Sequence, residues 1–240
     1  MKSVKIILIC GNKNSVVKMS FIKNLEKVFQ ENSNPEDAVA MENYMKNHFS
    51  FYGIKTENRR LIFKTIWKEH QKEVAEKARN IAKELFSKSQ RELHYCGIEI
   101  LMKELKKKYQ KEDISLIEFL IVTNSWWDSV DVIAKYLLGE YLIQFPDETE
   151  KVIEKFSNSE NMWLNRSAIL FQLGYKQKTD ADLLFALCQK HSDSNEFFIR
   201  KAIGWALREY AKTNPSAVIR FVETNNLKPL SEKEALKNIV

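Results

Sequence analysis

Only six glycines and four prolines punctuate these 240 residues. That scarcity excludes collagen-like chains and argues against turn-rich all-β chains, whereas the abundant Leu, Lys, Glu, Ala and Ile favour helix. Cysteine is rare too: Cys10, Cys96 and Cys188 are odd in number and far apart. No disulfide framework or metal-type spacing follows, and the pattern fits a reducing cytoplasm. His48, His70, His94 and His191 are scattered, with no HExxH, no Cys/His cluster and no glycine-rich phosphate loop. The sequence therefore calls for no metal and no nucleotide cofactor. No apolar run is long enough to span a bilayer, so no membrane association is expected.

The opening MKSVKIILICGNKNSVV has a short apolar run broken by Lys5 and no small-residue cleavage site, which makes a poor signal peptide. Residues 1–18 are read as an N-terminal extension of unassigned role, strand-like, disordered or left by an upstream start codon. The domain is expected over 19–240. The net charge of +6 suggests an anionic partner, but residues 1–18 hold four lysines and no acid, leaving +2 for the rest. Cations that bind nucleic acid must then be gathered on one surface.

From Met19 onward, amphipathic helices alternate with short breaks at Asn34-Pro35, Phe145-Pro146, Thr179-Asp180, Asn214-Pro215 and Lys228-Pro229. Proline at a helix start is ordinary punctuation, and about a dozen helices in one domain are expected. Segments beginning near Ser89, Asn124, Asn161 and Glu196 recur about every 35 residues, each running into an amphipathic helix. Helix pairs at that period point to an all-α protein, an α-solenoid of HEAT-like repeats with a concave binding face. TPR repeats have a similar length, but their Trp/Gly/Tyr and Ala/Phe/Pro signature is missing.

Four segments hold candidate functional residues. In TNSWWDSVD, Ser125 and Asp128 have capping-box spacing, a structural role for Asp128. Trp126, Val130, Ile133, Leu137 and Tyr141 form the core stripe. Trp127 and Asp131, four apart, share the flank of that stripe; Asp131 is either a salt-bridge partner or a functional carboxylate. Arg166 heads a helix that is apolar nearly all round and requires a partner, either Asp131 or an external phosphate. On the predicted helix Glu196–Lys212, Ile199, Ile203, Ala206 and Tyr210 form the core stripe. Trp205 points away from it, between Lys201 and Arg208, as a nucleic-acid surface requires. Arg59-Arg60 with Lys64, and Lys106 to Lys108, are further basic stretches that also suit solvated helix faces.

TNSWWDSVD, MWLNRSAILFQLGYKQK, FFIRKAIGWALREYAKTNP and NYMKNHFSFYGIKTENRR together resemble the AlkD-type DNA alkylation repair family, HEAT-like-repeat DNA glycosylases, over nearly everything from Met19 onward. The resemblance implies excision of N3- and N7-alkylated purines, such as 3-methyladenine and 7-methylguanine, from double-stranded DNA. It places the catalytic carboxylate on Asp131, the aromatic partners on Trp127 and Trp205, and the positioning cation on Arg166. Lys201, Arg208, Arg59 and Arg60 are the expected DNA contacts. An alkylated purine is already cationic and leaves readily, so one carboxylate suffices to stabilise the sugar cation. No nucleophile with a base stands out and no lysine is marked out as the amine that lyase activity uses, so a monofunctional glycosylase is expected, with a monomer as the default state. The rival reading is a non-catalytic HEAT-repeat scaffold binding DNA or a protein, since the fold serves either role.

Overall fold

Asparagine and aspartate start several of these helices, at the breaks the sequence marks. Asn34 accepts from the amides of Glu36 and Asp37, Asp180 from Leu183, and Asn214 from Ala217. Each side chain satisfies first-turn donors that lack an intrahelical acceptor. The computed structural model describes residues 19–237 and residue 239, and is all-helical there, with one isolated bridge between Ser50 and Gln90 and no strand. The reading of residues 1–18 as an extension lies outside the described residues. No described helix is long and apolar enough to cross a membrane.

The chain divides after Glu104 into two compact units. The first comprises α1 (Phe21–Glu31), α2 (Pro35–Tyr44), α3 (Thr56–Glu69), α4 (Gln71–Phe86) and α5 (Arg91–Glu104). Its core joins Phe21, Leu25 and Phe29 of α1 to Ile62, Phe63 and Ile66 of α3 and to α4 and α5. Buried Glu92 accepts from the amides of Tyr52, Gly53 and Ile54 and pins the loop before α3. Gly53 is obligatory there: φ is +81°, and a Cβ would lie 2.0 Å from the Asn34 carbonyl oxygen.

The second unit comprises α6 (Asp113–Val122), α7 (Trp127–Val132), a π-helical stretch (Ile133–Leu138), α8 (Gly139–Gln144), α9 (Thr149–Ser157), α10 (Met162–Leu170), α11 (Ala181–Lys190), α12 (Phe197–Ala211), α13 (Pro215–Thr224) and α14 (Pro229–Ala235). These follow one another as helix pairs in an α-solenoid-like stack. The second helix of each pair packs on the second helix of the next: the continuous rod of α7, the π-helical stretch and α8 (the α7 rod) on α10, α10 on α12, and α12 on α14. That stacking brings side chains about 35 residues apart into contact. Val130, Ile133, Leu137 and Tyr141 are buried as the stripe predicts, while Trp126 is only half-buried.

The π-helical stretch begins two residues after Asp131 and leads into a close approach. A Cβ at Gly139 would lie 2.6 Å from the Phe171 carbonyl oxygen, and the Tyr175 hydroxyl donates to the Gly139 carbonyl at 2.7 Å. The wider turn shifts the phase of the rod, so the residues before and after it each meet their own neighbours.

Candidate active site

The α7 helix starts one residue later than the capping-box pattern implies. Trp126 is its N-cap, with extended backbone (φ −156°, ψ 160°) and no side-chain cap. The Ser125 hydroxyl instead donates to the Ile121 carbonyl at 2.6 Å, closing the end of α6. The capping-box assignment of Ser125 and Asp128 is therefore corrected. With α7 beginning at Trp127, Trp127 and Asp131 stand one turn apart, and both are half-buried.

Arg166 on α10 meets Asp131 with a bidentate fork. Nε donates to Oδ1 at 2.7 Å and Nη2 to Oδ2 at 2.8 Å. Nη1 donates to the backbone carbonyl of Phe198, in the first turn of α12. One guanidinium thus ties three successive stacked helices. Its side chain is 5% exposed against 12% for Asp131, so the partner of Arg166 is Asp131 and its fork is not presented to an external phosphate. Losing one member of such a pair costs about 3–5 kcal/mol, because the other is left charged and buried. Burial pushes the Asp131 carboxyl above the usual carboxylate range, with the Arg166 bonds pulling against it and Asp128 adding to the rise.

Aromatic rings brace the fork. Trp163, near the start of α10, lies 5.0 Å from the Phe198 ring, and Trp126 lies 5.2 Å from it. The sequence pattern singled out neither Phe198 nor this three-ring cluster. Its only signal is the recurrence of aromatics at the starts of α7, α10 and α12.

Trp205 is half-buried on α12 and packs against the core cluster of this unit, while Lys201 and Arg208 flank it. Those two cations do not stand free. Glu234 of α14 takes Lys201 Nζ on Oε1 at 2.8 Å and Arg208 Nη1 on Oε2 at 2.6 Å. Helix α14 lies so close that a Cβ on Gly204 would come within 2.4 Å of the Glu234 Cβ and 2.8 Å of the Ser231 carbonyl oxygen. The face read as a bare cationic surface is thus partly a packing face. Glu234 was not foreseen, because its sequence neighbourhood SEKEALK reads as an ordinary solvated helix.

In the first unit, Arg59 is a correction. It is buried on the same stripe as Ile62, Phe63 and Ile66. Its guanidinium donates to Glu99 at 2.6 Å and to Cys96 Sγ at 3.5 Å, and lies 5.4 Å from the Tyr95 ring centroid. Burial pushes the Cys96 thiol up to about 12 against the pull of Arg59, so that sulfur is unreactive. Arg59 is an interior ion-pair residue and not a surface DNA contact. Arg60 is exposed and shares Glu99 at 3.3 Å. Among the described residues no cluster of three His, Cys, Asp or Glu side chains could hold a metal ion.

The sequence matches the family described as "DNA alkylation repair enzyme" over residues 25–239. The chain belongs to that family. Among solved structures, the "Predicted DNA alkylation repair enzyme from Enterococcus faecalis" is similar, with TM-score 0.79 and 33% identity over 87% of this chain and 97% of that one. No curated protein matches the chain. For a DNA alkylation repair enzyme the partner is DNA. The half-buried carboxylate held by Arg166 is then the group whose chemistry must be accounted for.

Proposed function

We propose that this protein is a monofunctional DNA glycosylase. It hydrolyses the N-glycosidic bond of cationic N3- and N7-alkylated purines in duplex DNA, working as a monomer in the cytoplasm and without metal or cofactor. The observation that carries this reading is the bidentate hold of Arg166 on Asp131 at 2.7 and 2.8 Å. Here the carboxylate is the more open member, and it stands one turn from the half-buried ring of Trp127.

The alkylated purine already carries positive charge, so the bond from C1′ to the purine nitrogen breaks with its electron pair going to the base, which leaves neutral. Positive charge passes to the deoxyribose as an oxocarbenium-like centre. Asp131 stabilises that centre and takes the proton of the water that adds to C1′. Arg166 is a positioning residue: it fixes the carboxylate plane through both oxygens and leaves their remaining lone pairs for the sugar and the water. The electron-rich faces of Trp127 and Trp205 attract the cationic lesion or sugar, each by roughly 0.5–2 kcal/mol. Arg60, and Lys201 and Arg208 where Glu234 yields them, are the proposed phosphate contacts.

Incubating the purified protein with methylated duplex DNA, followed by chromatography of the freed bases, tests the reading. Release of 7-methylguanine and 3-methyladenine above the spontaneous rate is expected. DNA binding without base release would instead identify a scaffold.

A further inference from the structure

We propose that Glu234 is an intramolecular occupant of a phosphate site formed by Lys201 and Arg208, and that it lowers affinity for undamaged DNA by competing with the backbone. This rests on the reading that the protein works on DNA. Two cations of α12, two turns apart, converge on one carboxylate, one on each oxygen, at 2.8 and 2.6 Å. A phosphate presents the same arrangement of two acceptor oxygens to two donors. The three groups retain one net positive charge, so the pair still attracts an anion when Glu234 is in place. Lys201 and Arg208 keep 36% and 25% of their side-chain surface and Glu234 only 16%. The cations therefore remain reachable from solvent, while the carboxylate sits on the inner, α14 side.

The backbone around the carboxylate is fixed. The Ser231 hydroxyl donates to the Arg200 carbonyl at 3.0 Å, and Gly204 admits α14 at a separation no larger residue allows. The helix need not move for exchange, because the long Lys201 and Arg208 side chains can swing from Glu234 to a phosphate. Trp205 lies between them on the same helix, so each exchange takes place beside the ring proposed to meet the lesion. A backbone that must displace Glu234 is held loosely where nothing is damaged, and a cationic lesion supplies the additional contact.

The test compares wild type, Glu234→Gln, Glu234→Ala and Glu234→Gln combined with Lys201→Ala and Arg208→Ala. Binding to an undamaged duplex is followed by fluorescence anisotropy across salt concentration. Removing one unit charge about 4 Å from a phosphate site in water-like surroundings gives an increase of about 5-fold in affinity at low salt. The log–log salt dependence should steepen by about 1–2 as the freed cations meet phosphates. The triple variant should lose that gain. A purely structural Glu234 predicts unchanged or weaker binding in both single variants, which would overturn the proposal. Thermal stabilisation by inorganic pyrophosphate provides a readout free of DNA. It should be larger in Glu234→Gln than in wild type and vanish in the triple variant. If no variant bound DNA but this stabilisation appeared, the masked anion site would stand and the DNA reading would fall.

Discussion

Replacing Asp131 with asparagine separates the charge of this side chain from its shape. The amide keeps the size and one oxygen acceptor, so Arg166 retains one of its two bonds to position 131 and its bond to the Phe198 carbonyl. Because Arg166 is left charged and buried with one bond fewer, the stability cost is about 3–5 kcal/mol, which all but the least stable domains in the roughly 5–15 kcal/mol range survive. The catalytic cost follows from burial. The Asp131 side chain is 12% exposed, so an effective dielectric of about 20 is appropriate, and a carboxylate about 4 Å from the sugar cation contributes about 4 kcal/mol. That corresponds to about a 10³-fold loss of rate. A carboxylate standing in water would contribute only about 1 kcal/mol, or about 5-fold. Single-turnover release of 7-methylguanine, corrected for spontaneous depurination, distinguishes these values, with DNA affinity measured in parallel at fixed salt. A loss of about 10³-fold with affinity near wild type is expected. A folded Asp131→Asn protein that excises within about 5-fold of wild type would refute both the electrostatic role and the low-dielectric reasoning.

Because burial holds the Asp131 carboxyl high, the single-turnover rate should rise with pH along an acid limb lying above the roughly 3.9 of a free aspartate. A limb at or below that value contradicts the assignment. The same shift means that the native state binds this proton more tightly than the unfolded chain. Its contribution to stability is full below the unfolded pKa and is lost as pH rises through the folded one. Glu234 behaves oppositely, since Lys201 first, and then Arg208, hold its carboxyl low. Its contribution is full above the unfolded value of about 4.3 and disappears as pH falls through the folded one. Melting curves of Glu234→Gln should therefore show a flatter acid side than wild type. Gly204→Ala gains about 1 kcal/mol of helix propensity but places a methyl 2.4 Å from the Glu234 Cβ and 2.8 Å from a backbone oxygen. A net loss of about 1–2 kcal/mol in urea unfolding is expected, and a more stable variant would show that α14 yields. Arg59→Met should cost on the order of 1–3 kcal/mol of stability with DNA affinity unchanged, whereas Arg60→Ala should leave stability alone and weaken DNA binding. The reverse pattern would restore Arg59 as a surface contact.

Helical content was legible because glycine and proline are scarce and the Asn-Pro and Thr-Asp breaks carry their own capping chemistry. The pairing of Arg166 with Asp131 was one of two partners the apolar surroundings of the arginine demanded, and the 35-residue offset that joins them is the repeat period itself. Arg59 was misassigned although its place on the Ile62, Phe63 and Ile66 stripe marked it as interior; its pairing with Arg60 suggested a basic patch instead. The Ser125 pattern failed because the extended backbone at Trp126 delays the helix, and capping spacing says nothing about that dihedral. The cover over Lys201 and Arg208 was invisible for a different reason. One helix's periodicity identifies its own faces but not which of them a segment about 30 residues later will occupy.

The π-helical turn has a practical bearing on how the α7 rod tolerates change. Its two ends serve different masters: Asp131 must meet Arg166 before the turn, and Gly139 must slide beneath the Phe171 carbonyl after it. The wide turn between them works like a vernier, setting one end against the other by a fraction of a helical revolution. Swapping side chains inside Ile133–Leu138 disturbs local packing, but adding or removing a single residue there would mis-clock the carboxylate relative to its guanidinium. Length, more than composition, is what that stretch must keep.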